Sequence, residues 1–193
     1  MIAYLQGKLA EKTPTYIVID CNGVAYVLHI SLYTYSKIPD SEAVKLYTHF
    51  IVREDAHTLY GFWEKAEREI FRLLISVSGI GASTARTLLS SMTPVQARES
   101  IASGDVAAIQ AVKGIGAKTA QRVILDLKDK ILKIYDMDEV VATPGNTSRE
   151  EALSALEVLG FSMKQSEKVV DRILRDSPDL NVEDIIKSAL KNL

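Results

Sequence analysis

Two short segments of this chain have the residue types and spacing that suit phosphate chemistry. Val77-Ser78-Gly79-Ile80-Gly81-Ala82-Ser83-Thr84-Ala85 returns thirty-five residues later as Val112-Lys113-Gly114-Ile115-Gly116-Ala117-Lys118-Thr119-Ala120, with changes only at Ser78 against Lys113 and Ser83 against Lys118. A chain that turns sharply between two helices needs residues without Cβ, both for positive φ and for close backbone approach to a ligand. The helix opened by such a turn begins with amides that have no internal partner, and these N–H groups with the aligned backbone dipoles make an anion site. Ile80 and Ile115 would plug the space between the flanking helices. Lys118 and Arg122, one turn apart, would add charge beside the second turn. The expected DNA-backbone contacts are therefore Gly79, Ile80, Gly81, Ala82 and Ser83 at the first turn, and Gly114, Ile115, Gly116, Ala117, Lys118, Thr119 and Arg122 at the second.

Two other readings fit these residues less well. A nucleotide-binding P-loop requires Gly immediately before the Lys and a strand ahead of the turn, whereas Ala117 stands there and no strand pattern precedes it. Helix C-caps alone would explain one glycine at each turn but not the second. Tandem helix-hairpin-helix motifs, which hold DNA backbone without reading sequence, explain both.

Elsewhere the residues capable of chemistry are sparse. Glu54 and Asp55 are adjacent acids in a loop between strands, where neighbours point apart, and spacing alone makes them surface acids. His29, His49 and His57 lie on or near strands with no carboxylate or second His at ligand spacing, so local hydrogen bonds are expected of them rather than catalysis. Cys21 has no second Cys with which to build a disulfide or a zinc site and reads as a small packing residue. A helix-hairpin-helix nuclease would need metal-holding acids, but Asp126 and Asp129 read as helix surface. No catalytic residue, metal or cofactor is expected.

The 193 residues carry a formal charge of −2, which looks unfavourable for a polyanionic partner until the chain is divided. Residues 1–63 carry −1, 64–135 carry +4, 136–147 carry −3 and 148–193 carry −2. The basic excess coincides with the two turns, and local charge is what governs counterion release from phosphates. No apolar run reaches the roughly 18 residues needed to span a bilayer, and the start lacks a signal-peptide layout, so a soluble cytoplasmic protein is expected.

The elements that must position the turns follow from periodicity. Residues 1–63 read as β structure, with runs at 16–20, 24–30, 44–50 and 58–62 and a hairpin turn at Asn22-Gly23. Five or six short strands in so short a stretch suggest closure into an OB-like barrel, which removes exposed edges. Residues 64–135 have helical spacing, broken at Ser78-Gly79, Thr93-Pro94, Ser103-Gly104 and Lys113-Gly114 into four or five short helices. Residues 136–147 are acidic, contain Pro144-Gly145 and read as a flexible linker. Ser148 and Glu151 have capping-box spacing and open a last unit, 148–193, of three short helices. The fold class is thus multi-domain α+β.

The whole chain resembles the RuvA family of bacterial Holliday-junction binding subunits, with its N-terminal OB barrel, two helix-hairpin-helix motifs, acidic linker and small C-terminal three-helix, UBA-like domain. Besides both turns, the resemblance is carried by THFIVREDAHTLYGF at 48–62, of which Arg53-Glu54-Asp55 is the most specific part, and by Leu159-Gly160-Phe161. It implies a homotetramer whose concave face holds a four-way junction in square-planar form. It also implies a C-terminal domain that recruits the hexameric RuvB ATPase for branch migration in recombination, repair of DNA damage and the SOS response. RuvC resolvase in the same complex, and a second tetramer completing an octamer on DNA, stay open. The family has no catalytic activity of its own in this subunit and no cofactor. By the same resemblance, Glu54 and Asp55 form an acidic pin at the four-fold centre, repelling phosphates at the crossover. Leu156, Leu159, Val169, Val170 and Ile173 form an apolar stripe that is mostly core, part of which would face RuvB. Some relatives carry Lys after the Gly-x-Gly turn where this chain has Ala82-Ser83 and Ala117, which shifts phosphate contact toward backbone amides, Lys118 and Arg122.

Overall fold

The computed structural model describes residues 2–39, 43–140, 147–178 and 180–193. Five strands, β1 (Tyr4–Lys12), β2 (Tyr16–Cys21), β3 (Val24–His29), β4 (Ala43–Val52) and β5 (His57–Phe62), close into a barrel in the order β1-β2-β3-β5-β4. The β1–β4 pair is antiparallel and the β3–β5 pair parallel. Alternation explains the inside of the barrel, because successive side chains on a strand point to opposite faces. Ile17, Ile19, Leu28 and Leu46 are fully buried there. The turn between β2 and β3 has Asn22 at φ 56° and Gly23 at φ 92°, as a two-residue hairpin requires.

Two barrel elements lie where no β-run or helix was expected. β1 pairs with β4 over Tyr4–Lys8 and with β2 over Lys8–Lys12, and it requires Gly7 because a Cβ there would fall 2.2 Å from the Asp20 carbonyl oxygen. Helix α1 (Leu32–Lys37) is only six residues long and is started by Ser31, whose side chain accepts from the Thr34 amide.

Five helices follow: α2 (Lys65–Ile75), α3 (Ala82–Ser91), α4 (Pro94–Ser103), α5 (Val106–Gln110) and α6 (Ala117–Val140). Their ends match the expected breaks for identifiable reasons. Thr93 and Gln96 form a reciprocal capping box at α4 with Pro94 in its first turn, and Gly104 ends α4 in the left-handed region at φ 81°. The barrel, α2 to α5 and the part of α6 up to Leu132 belong to one compact unit, 1–132. Buried Glu67 on α2 accepts from Ser31 Oγ at 2.5 Å and from Thr34 Oγ1 at 2.6 Å. Arg86 on α3 donates to the Thr15 carbonyl at 3.1 Å. These bonds tie the first two helices to the barrel.

The second unit covers 133–193 and contains α7 (Thr147–Val158), α8 (Met163–Asp176) and α9 (Val182–Leu190). Its core is Ala152, Leu153, Leu156, Val170, Ile185 and Ala189, and Arg149 on α7 pairs with Asp171 on α8 at 2.7 Å. Gly160 at φ 94° ends α7, and the Phe161 amide turns back to the Leu156 carbonyl at 3.1 Å. α6 runs on through Val140 into the stretch that reads as a linker, and 141–146 lie outside the described residues. α7 already begins at Thr147, so Ser148 sits inside its first turn and not at the cap position of the expected capping box.

Candidate nucleic-acid interface

The two glycine turns fold alike. Gly79 and Gly114 take φ values of 96° and 93°, a region that side chains with Cβ rarely adopt. Just after each, the Ile amide donates back across the turn, Ile80 to Val77 O at 3.0 Å and Ile115 to Val112 O at 3.1 Å. The following helix opens on the second glycine: Ala85 N donates to Gly81 O and Ala120 N to Gly116 O, both at 2.9 Å. Ile80 and Ile115 are each 5% exposed and fill the space beneath their turns.

The first and second glycines differ in why they are there. Gly81 has φ −86° and ψ 166°, an extended conformation open to any residue. A Cβ built at Gly81 or at Gly116 meets nothing within 4 Å. Among the described residues, nothing requires these two positions to lack a side chain. Gly81 gives the first amides of α3 no side-chain cap, and Gly116, equally bare, precedes the first amides of α6. A Cβ at Gly79 would lie 3.6 Å from Thr119 Cγ2, so the two turns are also neighbours in space.

Not every anticipated contact residue can reach outward. Ile80, Ile115 and Ala82 are buried and offer only backbone, whereas Ser83, Ala117, Lys118 and Arg122 are exposed and Thr119 half-buried. Lys118 and Arg122 lie four residues apart on α6 and therefore on one face. Glu54 and Asp55 are exposed in the turn between β4 and β5, closed by the Arg53 amide donating to Ala56 O at 2.9 Å.

Family models for the RuvA N-terminal domain, the SAM-like helix-hairpin-helix tandem and the RuvA C-terminal domain match residues 1–61, 71–129 and 147–193. The chain is 65% identical to the Holliday junction branch migration complex subunit RuvA of Christiangramia forsetii, over all of both chains. The Holliday junction branch migration complex subunits RuvA of Flavobacterium psychrophilum and Bacteroides thetaiotaomicron are 62% and 50% identical, again over the full length of each chain. The chain belongs to the RuvA family.

Within this RuvA-family chain the histidines serve packing. His29 Nδ1 lies 3.4 Å from Arg86 Nη1, and burial with the nearby Arg86 charge lowers its pKa. His49 accepts from Arg72 Nε at 3.4 Å and meets Phe71 edge-on, and burial lowers its pKa too. His57 sits edge-on to Phe50. Cys21 is half-buried and donates to the Gln6 carbonyl at 3.4 Å. No cluster of His, Cys, Asp or Glu fit to hold a metal occurs among the described residues, and no helix among them is long and apolar enough to cross a membrane.

In the C-terminal unit the apolar stripe divides. Leu156 and Val170 are fully buried core, Val169 and Ile173 pack partly against it, and Leu159 is 57% exposed. Val158, the next residue before Leu159, is 85% exposed and was not among the residues singled out by spacing.

Proposed function

We propose that this chain is the non-catalytic DNA-binding subunit of a branch-migration complex. It binds four-way Holliday junctions as a homotetramer, holds them open in square-planar form and directs the RuvB ATPase onto the arms. In this reading it works in the cytoplasm, in recombination and DNA repair, with RuvC resolvase acting on the same assembly.

The observation that carries the DNA part is the empty space over Gly81 and Gly116, each at the start of a helix, with no side-chain cap at α3. A phosphate set there would accept from the first amides of those helices and meet the positive ends of two helix dipoles. Lys118 and Arg122 add charge beside the second site. Glu54 and Asp55 act in the opposite sense: on the four-fold axis they repel backbone at the crossover and keep the arms apart, while the turns attract farther out. Of the C-terminal stripe, Leu159 with parts of Val169 and Ile173 faces the ATPase, and Leu156 and Val170 support it from within.

Competition binding between a four-way junction and a linear duplex of equal length, with assembly mass measured alongside, tests the reading. The junction should win clearly, and Glu54→Gln/Asp55→Asn should narrow its advantage. Equal affinity for both DNAs would reduce the protein to a general duplex scaffold. Cleavage of labelled junction by the purified chain with Mg²⁺ would make it a nuclease instead.

A further inference from the structure

The outer face of the barrel carries a group of cations and tyrosines that neither glycine turn uses. β1 and β4 pair with Tyr4 opposite Tyr47 and Gln6 opposite Lys45, while between them Leu5 lies opposite Leu46, which is fully buried in the core. Strand alternation therefore sends Tyr4, Lys45 and Tyr47 outward together. Lys45 Nζ stands 4.3 Å from the Tyr4 ring centroid and 5.7 Å from that of Tyr47. From α2, Lys65 Nζ lies 5.7 Å and Arg68 Cζ 5.5 Å from the same Tyr47 ring.

Cation–π attraction holds these groups in place but leaves their charge intact. Two of the three acids nearest in sequence are engaged elsewhere, and the third, Glu69, pairs with Arg68 within the group. Glu64 accepts from the Tyr33 hydroxyl at 3.0 Å, Glu67 is buried against Ser31 and Thr34, and Glu69 pairs with Arg68 at 3.1 Å and Arg72 at 2.9 Å. Among the described residues neither Lys45 nor Lys65 has a carboxylate partner. Both are exposed, as is Tyr4, whereas Arg68 is held from behind by its bond to the Ala3 carbonyl at 3.0 Å. Cations concentrated on one patch repel one another, and a polyanion relieves that repulsion. The phenol tips add donors for phosphate oxygens.

We propose that Tyr4, Lys45, Tyr47, Lys65 and Arg68 form a further DNA-backbone site, on the barrel and independent of the glycine turns. The proposal rests on the DNA-binding reading above. The acidic turn does not cancel it: the last five residues of β4 and Arg53 separate Tyr47 from Glu54, roughly 20 Å along extended backbone, against a screening length of about 8 Å at physiological salt.

The test measures binding of the full-length chain to a labelled four-way junction and to a linear duplex over a salt series. Lys45→Gln/Lys65→Gln should weaken binding to both DNAs by about tenfold at low salt and make the salt slope shallower by about one to two. Lys45→Arg/Lys65→Arg should bind as wild type, because it keeps the charge. Matched thermal melts establish that both variants are folded. Wild-type affinity and slope in the Gln variant would overturn the proposal. So would a Gln variant that changes the mass of the DNA-free assembly while binding DNA normally, since the face would then join copies of the chain. Equal losses in the Arg and Gln variants would point to packing and also overturn it. A wild-type chain that binds no junction sinks the function reading itself, whereas wild-type binding with an unaffected Gln variant sinks only this site.

Discussion

Val77 to Ala85 and Val112 to Ala120 fold alike down to single hydrogen bonds, yet the protein surrounds them differently. The first turn is anchored: α2 before it is held by Glu67 beneath α1, and α3 after it by Arg86 on the Thr15 carbonyl. Its exposed residue after the second glycine is the neutral Ser83. The second turn is approached by α5, a helix of only five residues, and touches the first through Thr119 beside Gly79. It carries Lys113, Lys118 and Arg122, all exposed. One backbone device has thus been given two settings, one rigid and nearly uncharged, the other charged and leaning on its neighbour. Geometry and charge can be varied separately because they reside in different residues.

The largest effect should come from the anchor. Burial pushes the Glu67 carboxyl up to about 7, although its bonds from Ser31 and Thr34 and the Trp63 amide pull the other way. A folded-state pKa above the ordinary value of 4.5 means that the folded protein holds this proton more tightly than the unfolded chain. The resulting stability is fully present below 4.5 and is lost as pH rises through about 7. Across that window the group accounts for about 3 kcal/mol. Melting temperature should therefore fall with rising pH, and Glu67→Gln should flatten this part of the profile. An unchanged profile in the variant would place the pH dependence elsewhere and weaken the distinction between an anchored and a leaning turn.

The shared part of the device is broken by filling the empty space. Gly81→Asn/Gly116→Asn supplies a good N-cap, so it should hold or slightly raise thermal stability. The same side chains would occupy the phosphate position and take up the amides. Junction affinity should fall about a hundredfold, from the loss of charge-assisted bonds at two helix ends. Full binding by this variant would show that the second glycines serve no ligand.

How much of this was legible in the sequence depends on how far apart the cooperating residues lie. The turns could be read because each is local, and because the repeat states its pattern twice. The helix breaks were legible for the same reason, each resting on a Gly or Pro with its own backbone demand. α1 escaped notice because Leu32–Lys37 is shorter than two helical turns and rich in Tyr and Thr, which suit strands. The period of α7 and α8 could not separate Leu156 and Val170, which are core, from Leu159, which is not. That distinction depends on how α7, α8 and α9 pack around the shared core, which no single helix states. The cluster at Tyr4, Lys45, Tyr47, Lys65 and Arg68 draws on three elements and has no signature at any one of them.

Charge distinguishes the turns next. Lys118→Ala/Arg122→Ala should weaken junctions of every sequence equally, by about tenfold, and lower the salt slope by about two. Loss that depended on junction sequence would mean that these residues read bases rather than hold backbone.

The smallest effect is the most direct comparison of the two settings. Ser83 occupies in the first turn the place that Lys118 occupies in the second, and both are exposed on the first turn of the helix that follows. If the turns share one phosphate-binding geometry, a cation introduced at the first should find a phosphate already in reach. Ser83→Lys should then tighten junction binding by about threefold at low salt and steepen the salt slope by about one. Because Ser83 is exposed and makes no cap bond, its replacement should leave the melting temperature unchanged. A slope equal to that of wild type would mean that the first turn lies farther from the backbone than the second. Its anchored position beside the barrel would then serve to support Thr119 and the second turn rather than to grip DNA itself.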